Sequence, residues 1–415
     1  VTKLFTALFA RKVLGAEYTF ITSLSYNGNI EPGRLKGDLY LKGSGDPELS
    51  MEGILYLVEK LKSFNIREIT GNFFYDDTLF PSREIIDKNM PSESYYNAGV
   101  SPLSFNSNTI YAVRRKDKEG KLVSSDLLPQ LPSFTSSLYE ETPDYPLFKY
   151  KQTGGRELWA LPKKKYWDNK QPLPIKNPGL YTAEIFRKLC GVQGIKLSQP
   201  GRIKATVNYK PLAEYTGRPL DPIIKNLLST SNNVTAELLY ITSSNSYSGK
   251  TQSPDSGKNH IENFFSVFFP RIKWNSFKIV NASGLTSLNR ITPEQTAAVL
   301  LYMEKQNDET FKPEKILPLS GWDGTMKNRL DNPETAFRVY AKTGAVYYAT
   351  SLAGVFYAKS GKKYIFSVYI NDLTKRSEHD RKDEKTMSDA NDAAAWTKKG
   401  STAIDRFIFR MIEEL

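Results

Sequence analysis

The stretch RVYAKTGAVYYATSLAGVFYA, Arg338 to Ala358, is built from β-branched and aromatic residues, yet Lys342, Thr343 and Gly344 interrupt it. Lysine and glycine are both poor strand formers. One reading is an edge strand, where Lys342 discourages stray pairing and Gly344 marks a bulge. The other is a strand bordering a site, where a fixed cation and an exposed backbone edge do chemistry. A second polar run, Ser231-Asn232-Asn233, breaks the helical pattern of LLSTSNNVTAELLY. Its side chains compete for backbone groups and suit a turn or helix cap as readily as a site. The chain opens VTKLFTALF, with Lys3 at the head of a helical pattern. His260 and His379 lie in polar, loop-like sequence, and SEHD, Ser377 to Asp380, reads as a solvated loop rather than a triad. The single cysteine, Cys190, excludes an internal disulfide and a Cys-based metal cluster, and no metal or cofactor is expected. Catalysis, if any, would then not rest on imidazole. A serine needs a base, and a lysine serves as one only when burial or a neighbouring cation loosens its proton.

The elements that must position these residues are partly visible. TKLFTALFARKVLG places Leu4, Phe5, Leu8 and Val13 on one helical face, with Gly15 as a stop. YTFITSLSY reads as a strand, and GDLYLKGSGDPELS as a strand closed by a Gly/Asp/Pro turn. Leu55–Gly71 and Leu180–Leu197 form a weak duplication, each with a Leu-Tyr start, a helix-period body and a turn into a strand. Two such units could pack side by side as one small α/β domain. Residues 79–177, rich in Pro, Ser, Tyr and Lys and without a long helix, read as a β-rich insert or excursion.

From Asp221 the pattern is denser. DPIIKNLL has Asp221 as N-cap and Pro222 at the first helical position, and Thr292 with Gln295 forms a capping box. The final STAIDRFIFRMIEEL repeats Ile404, Phe407, Ile408, Met411 and Ile412 on one face. FRVYAK, YYATSLAGVFYA and KYIFSVYIN fit an antiparallel meander with a turn at Ser360-Gly361. The expected fold class is α/β, as a multidomain α+β chain. Its expected parts are 1–28 with 206–415, 29–78 with 178–205, and 79–177.

Length and composition bound the rest. At 415 residues the chain suffices for about two or three domains. With 40% hydrophobic and 25% charged residues it reads as globular, and no apolar run approaches the roughly 18 to 20 residues of a membrane span. No signal peptide opens the chain, so an export signal is expected to have been removed or to lie upstream. The formal charge of +12 would attract an anionic polymer or surface, with basic clusters in VRRKDKEGK (113–121) and LPKKKYW (161–167). Acidic residues interrupt the charge elsewhere, as in KRSEHDRKDEK, and no zinc-finger spacing or RNA-binding signature occurs. Nucleic acid is therefore not an expected partner. Solvated faces, or affinity for an acidic cell-envelope polymer, account for the charge.

S-x-N followed by K-T-G is two thirds of the motif set of penicillin-binding proteins and serine β-lactamases; the missing third is S-x-x-K. A serine immediately before Val1 would complete S-V-T-K, with Lys3 one helical turn beyond the nucleophile. The other S-x-x-K match, Ser360 to Lys363, falls at an expected hairpin and reads as accidental. In this register the chain resembles the class C low-molecular-mass penicillin-binding proteins, the D-alanyl-D-alanine carboxypeptidase/endopeptidase family with domains inserted between the first two motifs. GDLYLKGSGDPELS, NAGVSPLSFNSN, NASGLTSLNRITP and GWDGTMKNRL carry the resemblance further. The 228 positions from Lys3 to Ser231 are too many for compact β-lactamases. Members that recognise diaminopimelate often carry Arg after S-G-L-S, whereas Ser287 follows SGLT here.

The resemblance implies a penicillin-binding/β-lactamase-like domain and a role for each residue. Lys3 would be the base. Ser231 would hydrogen-bond between the two lysines and pass a proton toward the leaving nitrogen, and Asn233 would hold a substrate amide. Lys342 would supply positive potential to a terminal carboxylate, and Thr343 a hydroxyl to the same group. Gly344 would let substrate approach the strand, and the Ala345 N–H would share the oxyanion hole with the nucleophile's own N–H, one such donor being worth about 3 to 4 kcal/mol. The implied substrates are peptidoglycan stem peptides, with β-lactams as inhibitors, in the periplasm or cell envelope. A serine β-lactamase and a catalytically silent peptidoglycan-binding scaffold are the alternatives.

Overall fold

The structure, a computed structural model, describes residues 1–415 except 121, 141–147, 164–169, 205–208, 251–257 and 383–386. It falls into two compact units, Val1–Tyr18 with Pro219–Leu415, and Thr19–Arg218.

In the first unit the N-terminal helix Lys3–Leu14 is central. Its apolar residues suggested one covered face, but every residue from Lys3 to Ala10 is buried. Phe5 packs against Phe265, Trp274 and Phe277, while Phe9 meets Tyr240, Tyr247 and Phe264. The one hydroxyl in these two turns, Thr6, donates to the Ala282 carbonyl at 2.8 Å, so the buried polar group is satisfied. The helix closes at Gly15, whose φ of 89° is open to glycine without strain. Helices Leu220–Thr230, Asn233–Ser248, Lys258–Phe268 and Pro293–Lys305 pack around it. Both halves of the Thr292–Gln295 capping box form.

The sheet of this unit is the expected meander, Val339–Val346, Ala349–Tyr357 and Lys363–Asn371 in that order, all antiparallel. A two-residue turn at Tyr347-Tyr348, with Tyr348 at φ 57°, joins the first pair. Ile404, Ile408 and Ile412 of the last helix, Met387–Glu414, share a core with Leu352, Phe356 and Phe366 of the sheet. Phe407, expected on that face, is 48% exposed.

Two local expectations are corrected. The helix at DPIIKNLL starts at Leu220 with Pro219 as its cap residue. Asp221 therefore lies inside the first turn, paired with Arg11 Nε at 2.5 Å, and Pro222 takes the third position, where an N–H would still lack a helical partner. SEHD is not a solvated loop: it ends the helix Leu373–Asp380, and His379 is buried with its ring 4.4 Å from that of Tyr347. His260 likewise lies in a helix.

The second unit holds a five-stranded sheet in the order Pro200–Arg202, Phe73–Asp76, Leu39–Lys42, Ile21–Tyr26, Lys210–Thr216. Ile21–Tyr26 pairs antiparallel with both Leu39–Lys42 and Lys210–Thr216. That pairing carries residues 19–28 and 206–218 into this unit, so the chain divides at 18/19 and 218/219 rather than at 28/29 and 205/206. Helices Met51–Ser63 and Pro178–Val192 pack together, and their following segments meet at a parallel bridge, Glu68 to Lys196. Ile110, Trp159, Leu161 and Leu173, from the β-rich stretch, share one core with Leu57, Val58, Phe73 and Phe186. Of the basic clusters, Arg115 pairs with Asp126 and Lys163 with Glu140, while Lys121 and residues 164–167 lie outside the described residues. Among the described residues no helix is long and apolar enough to cross a membrane, and no cluster of metal-binding side chains occurs.

Candidate active site

All of the site residues named from the sequence lie in the first unit. Lys3 stands in the first turn of the central helix with 5% of its surface exposed. Its Nζ donates to Asn233 Oδ1 at 2.6 Å and to the Ser283 carbonyl at 2.7 Å. Ser231 and Asn233 flank the break between two helices. Ser231 closes the first in the left-handed conformation, φ 59° and ψ 35°, its N–H bonded to Leu227 O. Asn232 caps the second by accepting the Thr235 N–H at 3.0 Å. The polar run is thus both a cap, which gives the break its stability, and a projection of two side chains from the break.

Lys342 is fully buried, and its Nζ donates to Ser231 Oγ and to Thr343 O, each at 2.9 Å. Lys342 and Ser231 therefore meet, as do Lys3 and Asn233. The expected bridge of Ser231 to both lysines is not among the bonds formed; Lys3 turns to Ser283 instead.

The strand's outer edge is covered only at its start. Ser320 N–H donates to Val339 O and Ala341 N–H to Pro318 O. No described segment continues that pairing past Ala341. Backbone groups alternate in direction along an antiparallel strand, so Thr343 and Ala345 share the outward parity of Val339 and Ala341. Ala345 is exposed. At Gly344 a Cβ would lie 2.3 Å from Ser351 Oγ and 2.5 Å from the Val1 nitrogen. Glycine is required there by close approach, not by a bulge; the register with Ala349–Tyr357 runs unbroken.

Burial lowers the pKa of Lys3 to about 7, partly opposed by the Glu237 carboxylate. Burial, and then the charge of Lys3, hold Lys342 well below the usual lysine range. Like-charge repulsion thus falls chiefly on Lys342. The Val1 nitrogen lies against Gly344, close enough to feel the charges of both amines. An amine that sheds its proton near neutrality, a hydroxyl bonded to a second amine and an open strand edge suit acyl transfer to a hydroxyl nucleophile.

Two contributors escaped the sequence reading. Ser283 belongs to the NASGLTSLN segment, whose residues Asn281, Ala282, Ser283 and Thr286 are buried. Glu237 is buried one turn beyond Asn233, and its Oε1 accepts the Ser283 N–H at 2.8 Å. The i, i+4 spacing of Asn233 and Glu237 is the signal that marks them as neighbours. Ser287 donates to Asp380 Oδ2 at 2.6 Å. The other S-x-x-K match is structural: Lys363 pairs with Glu304 and Glu314.

Comparison with known proteins finds similarity over most of the chain. The D-alanyl-D-alanine carboxypeptidase DacB of Haemophilus influenzae is 26% identical over 388 residues, covering 89% of this chain and 79% of the relative. The crystal structure of penicillin-binding protein 4 from the same organism superposes with a TM-score of 0.76 at 24% identity, over 89% of this chain and 84% of that one. A second structure of that protein, complexed with a β-lactam, has a TM-score of 0.71 at 25% identity, over 89% and 83%. The D-Ala-D-Ala carboxypeptidase 3 (S13) family matches residues 1–395. A match of that extent places the chain in this family of serine-type peptidase hydrolases, and it belongs to the D-Ala-D-Ala carboxypeptidase 3 (S13) family.

Proposed function

We propose that the chain is a DD-peptidase of peptidoglycan stem peptides whose nucleophile is a serine immediately before Val1, working in the periplasm or cell envelope. The observation that carries this reading is the meeting of Lys3, Ser231, Asn233 and Lys342 with the Val1 nitrogen at one end of the open strand. A residue bonded to that nitrogen starts where the charges of both amines are felt.

In the proposed reaction, neutral Lys3 takes the serine proton as Oγ attacks the carbonyl carbon of the penultimate D-Ala. The Ala345 N–H, with that of the serine, receives the developing oxyanion. Ser231 hands a proton from the amine beside it to the leaving nitrogen, the C–N bond breaks and terminal D-Ala departs. Water then attacks the ester, its proton passing through Ser231 to the Lys342 amine while the Lys3 ammonium returns its proton to the departing serine Oγ, so the acid product leaves and the serine and both lysines are restored. Asn233 and the backbone of Thr343 and Ala345 align the peptide as an added strand. A substrate carboxylate beside Lys342 favours the ammonium form there. That charge in turn makes a proton on Lys3 more costly, so binding prepares the base. A β-lactam presents the same acyl and carboxylate groups, and a β-lactam complex of a relative supports sensitivity here.

The test is labelling of the full-length protein by a fluorescent penicillin with mapping of the adduct. A stable adduct on the serine before Val1 is expected. Rapid turnover of the label points to a β-lactamase, and absence of any adduct to a silent scaffold; either overturns the proposal.

A further inference from the structure

We propose that Glu237 is a positioning residue for Lys3, acting through the main chain of Ser283 and through its negative charge. The inference rests on the reading of Lys3 as the base. Asn233 and Glu237 stand one turn apart on a single helix. The first accepts from Lys3 Nζ directly at 2.6 Å. The second accepts the Ser283 N–H at 2.8 Å, and the carbonyl of Ser283 accepts from Lys3 Nζ at 2.7 Å. One helical turn therefore sets two of the three bond directions of the amine, one by contact and one through the loop.

Glu237 is 2% exposed, and a carboxylate so placed is costly unless hydrogen-bonded and opposed by a cation. The other titratable group that acts on Lys3's surroundings is Lys342, from the strand; the Val1 nitrogen, bonded to the proposed serine, is a peptide amide and does not titrate. The loop supplies only uncharged Asn281, Ser283 and Thr286. Glu237 is thus the acid on hand to balance two amines, and its carboxylate favours the protonated form of Lys3. It holds Lys3 near the point where the proton is neither fixed nor lost.

The loop does not depend on Glu237 alone. Ala282 O accepts from Thr6 Oγ at 2.8 Å, Asn281 Oδ1 from the Leu285 N–H at 3.0 Å, and Asn281 O from Asn289 Nδ2 at 2.9 Å. Glu237→Gln can keep the bond to Ser283 while removing the charge, so the fold and the direction of the carbonyl persist.

The experiment measures penicillin acylation against pH for the full-length protein, Glu237→Gln and Glu237→Ala. For Glu237→Gln the acidic limb, where Lys3 gains its proton, is expected to move to lower pH by about half a unit or more, with the plateau rate within about threefold of the parent. Glu237→Ala, which also frees Ser283, is expected to lower the plateau by about tenfold or more. A limb for Glu237→Gln that overlays the parent's overturns the inference. Lys3→Met separates the two levels. If it labels at the parental rate, the reading of Lys3 as base fails. If it does not label while the Glu237→Gln limb stays in place, only the role given to Glu237 fails.

Discussion

Lys342 Nζ donates to Ser231 Oγ at 2.9 Å across 111 positions of chain. The contact joins the middle of a strand to a left-handed residue between two helices. Ser231→Ala removes the hydroxyl that would relay the proton but keeps the backbone. Acylation by penicillin should fall by about 10²- to 10⁴-fold, the usual worth of a positioned acid–base group. Stability should change by no more than about 3 kcal/mol, the upper cost of one unsatisfied polar partner. Rapid-mixing labelling and urea unfolding give the two numbers, and near-parental labelling would remove Ser231 from the reaction.

Gly344 tests the strand edge. The Cβ of Gly344→Ala would approach Ser351 Oγ, which can rotate away, and the Val1 nitrogen, which as backbone cannot. The strand and the start of the central helix must then separate by something near 1 Å, enough to lower acylation by about 100-fold. Adding Ser351→Ala should not restore the rate, because the second collision remains. Restoration would show that Ser351, not the helix start, is the crowded partner.

The parts of this site differ in how readable they are, and the difference is physical. Lys342 stands out because a cation contradicts its strand neighbours, and Ser231-Asn232-Asn233 because polar residues interrupt a helical period. The coupling of Lys3 to Ser283 and Glu237 leaves no such mark, since it arises only when three separate segments pack. The same holds for His379: SEHDRKDEK is polar throughout, and its burial comes from Tyr347 on another element. The boundary near residue 18 was hidden because the partner strand of Ile21–Tyr26, Lys210–Thr216, lies far along the chain. Asp221 was misplaced by one turn's logic, since a proline two residues earlier, Pro219, already sets the helix entry.

NAGVSPLSFNSN carries part of the family resemblance, yet its first asparagine does structural work in the second unit. Asn97 is fully buried. Its Oδ1 accepts the N–H groups of Ile86 and Asp87, and its Nδ2 donates to the carbonyls of Asp87, Met90 and Pro91. Asn97→Ala strands several buried backbone groups at about 1–3 kcal/mol each, so a loss of about 3 kcal/mol or more is expected in unfolding experiments. The acylation rate per folded molecule should stay at the parental value. A changed rate in the folded fraction would assign this segment to the reaction instead.

Lys3 is where function and stability pull apart. Its proton is lost near pH 7 in the folded protein but near the ordinary value of 10.5 once unfolded. Above 10.5 both states hold a neutral amine. As pH falls toward 7 the unfolded chain binds a proton that the folded site resists, so the folded state is penalised, and below 7 the penalty is complete. Lys3→Met removes it, at the expense of two acceptors, Asn233 Oδ1 and Ser283 O, left without their donor. Relative to the variant, the parent's melting temperature should therefore rise as pH is raised from 7 to 10. The parent alone should label with penicillin, at a rate that increases through about pH 7 as Lys3 becomes neutral. A parent and variant whose melting temperatures run parallel across that range would mean that Lys3 keeps an ordinary pKa, and then it is no base.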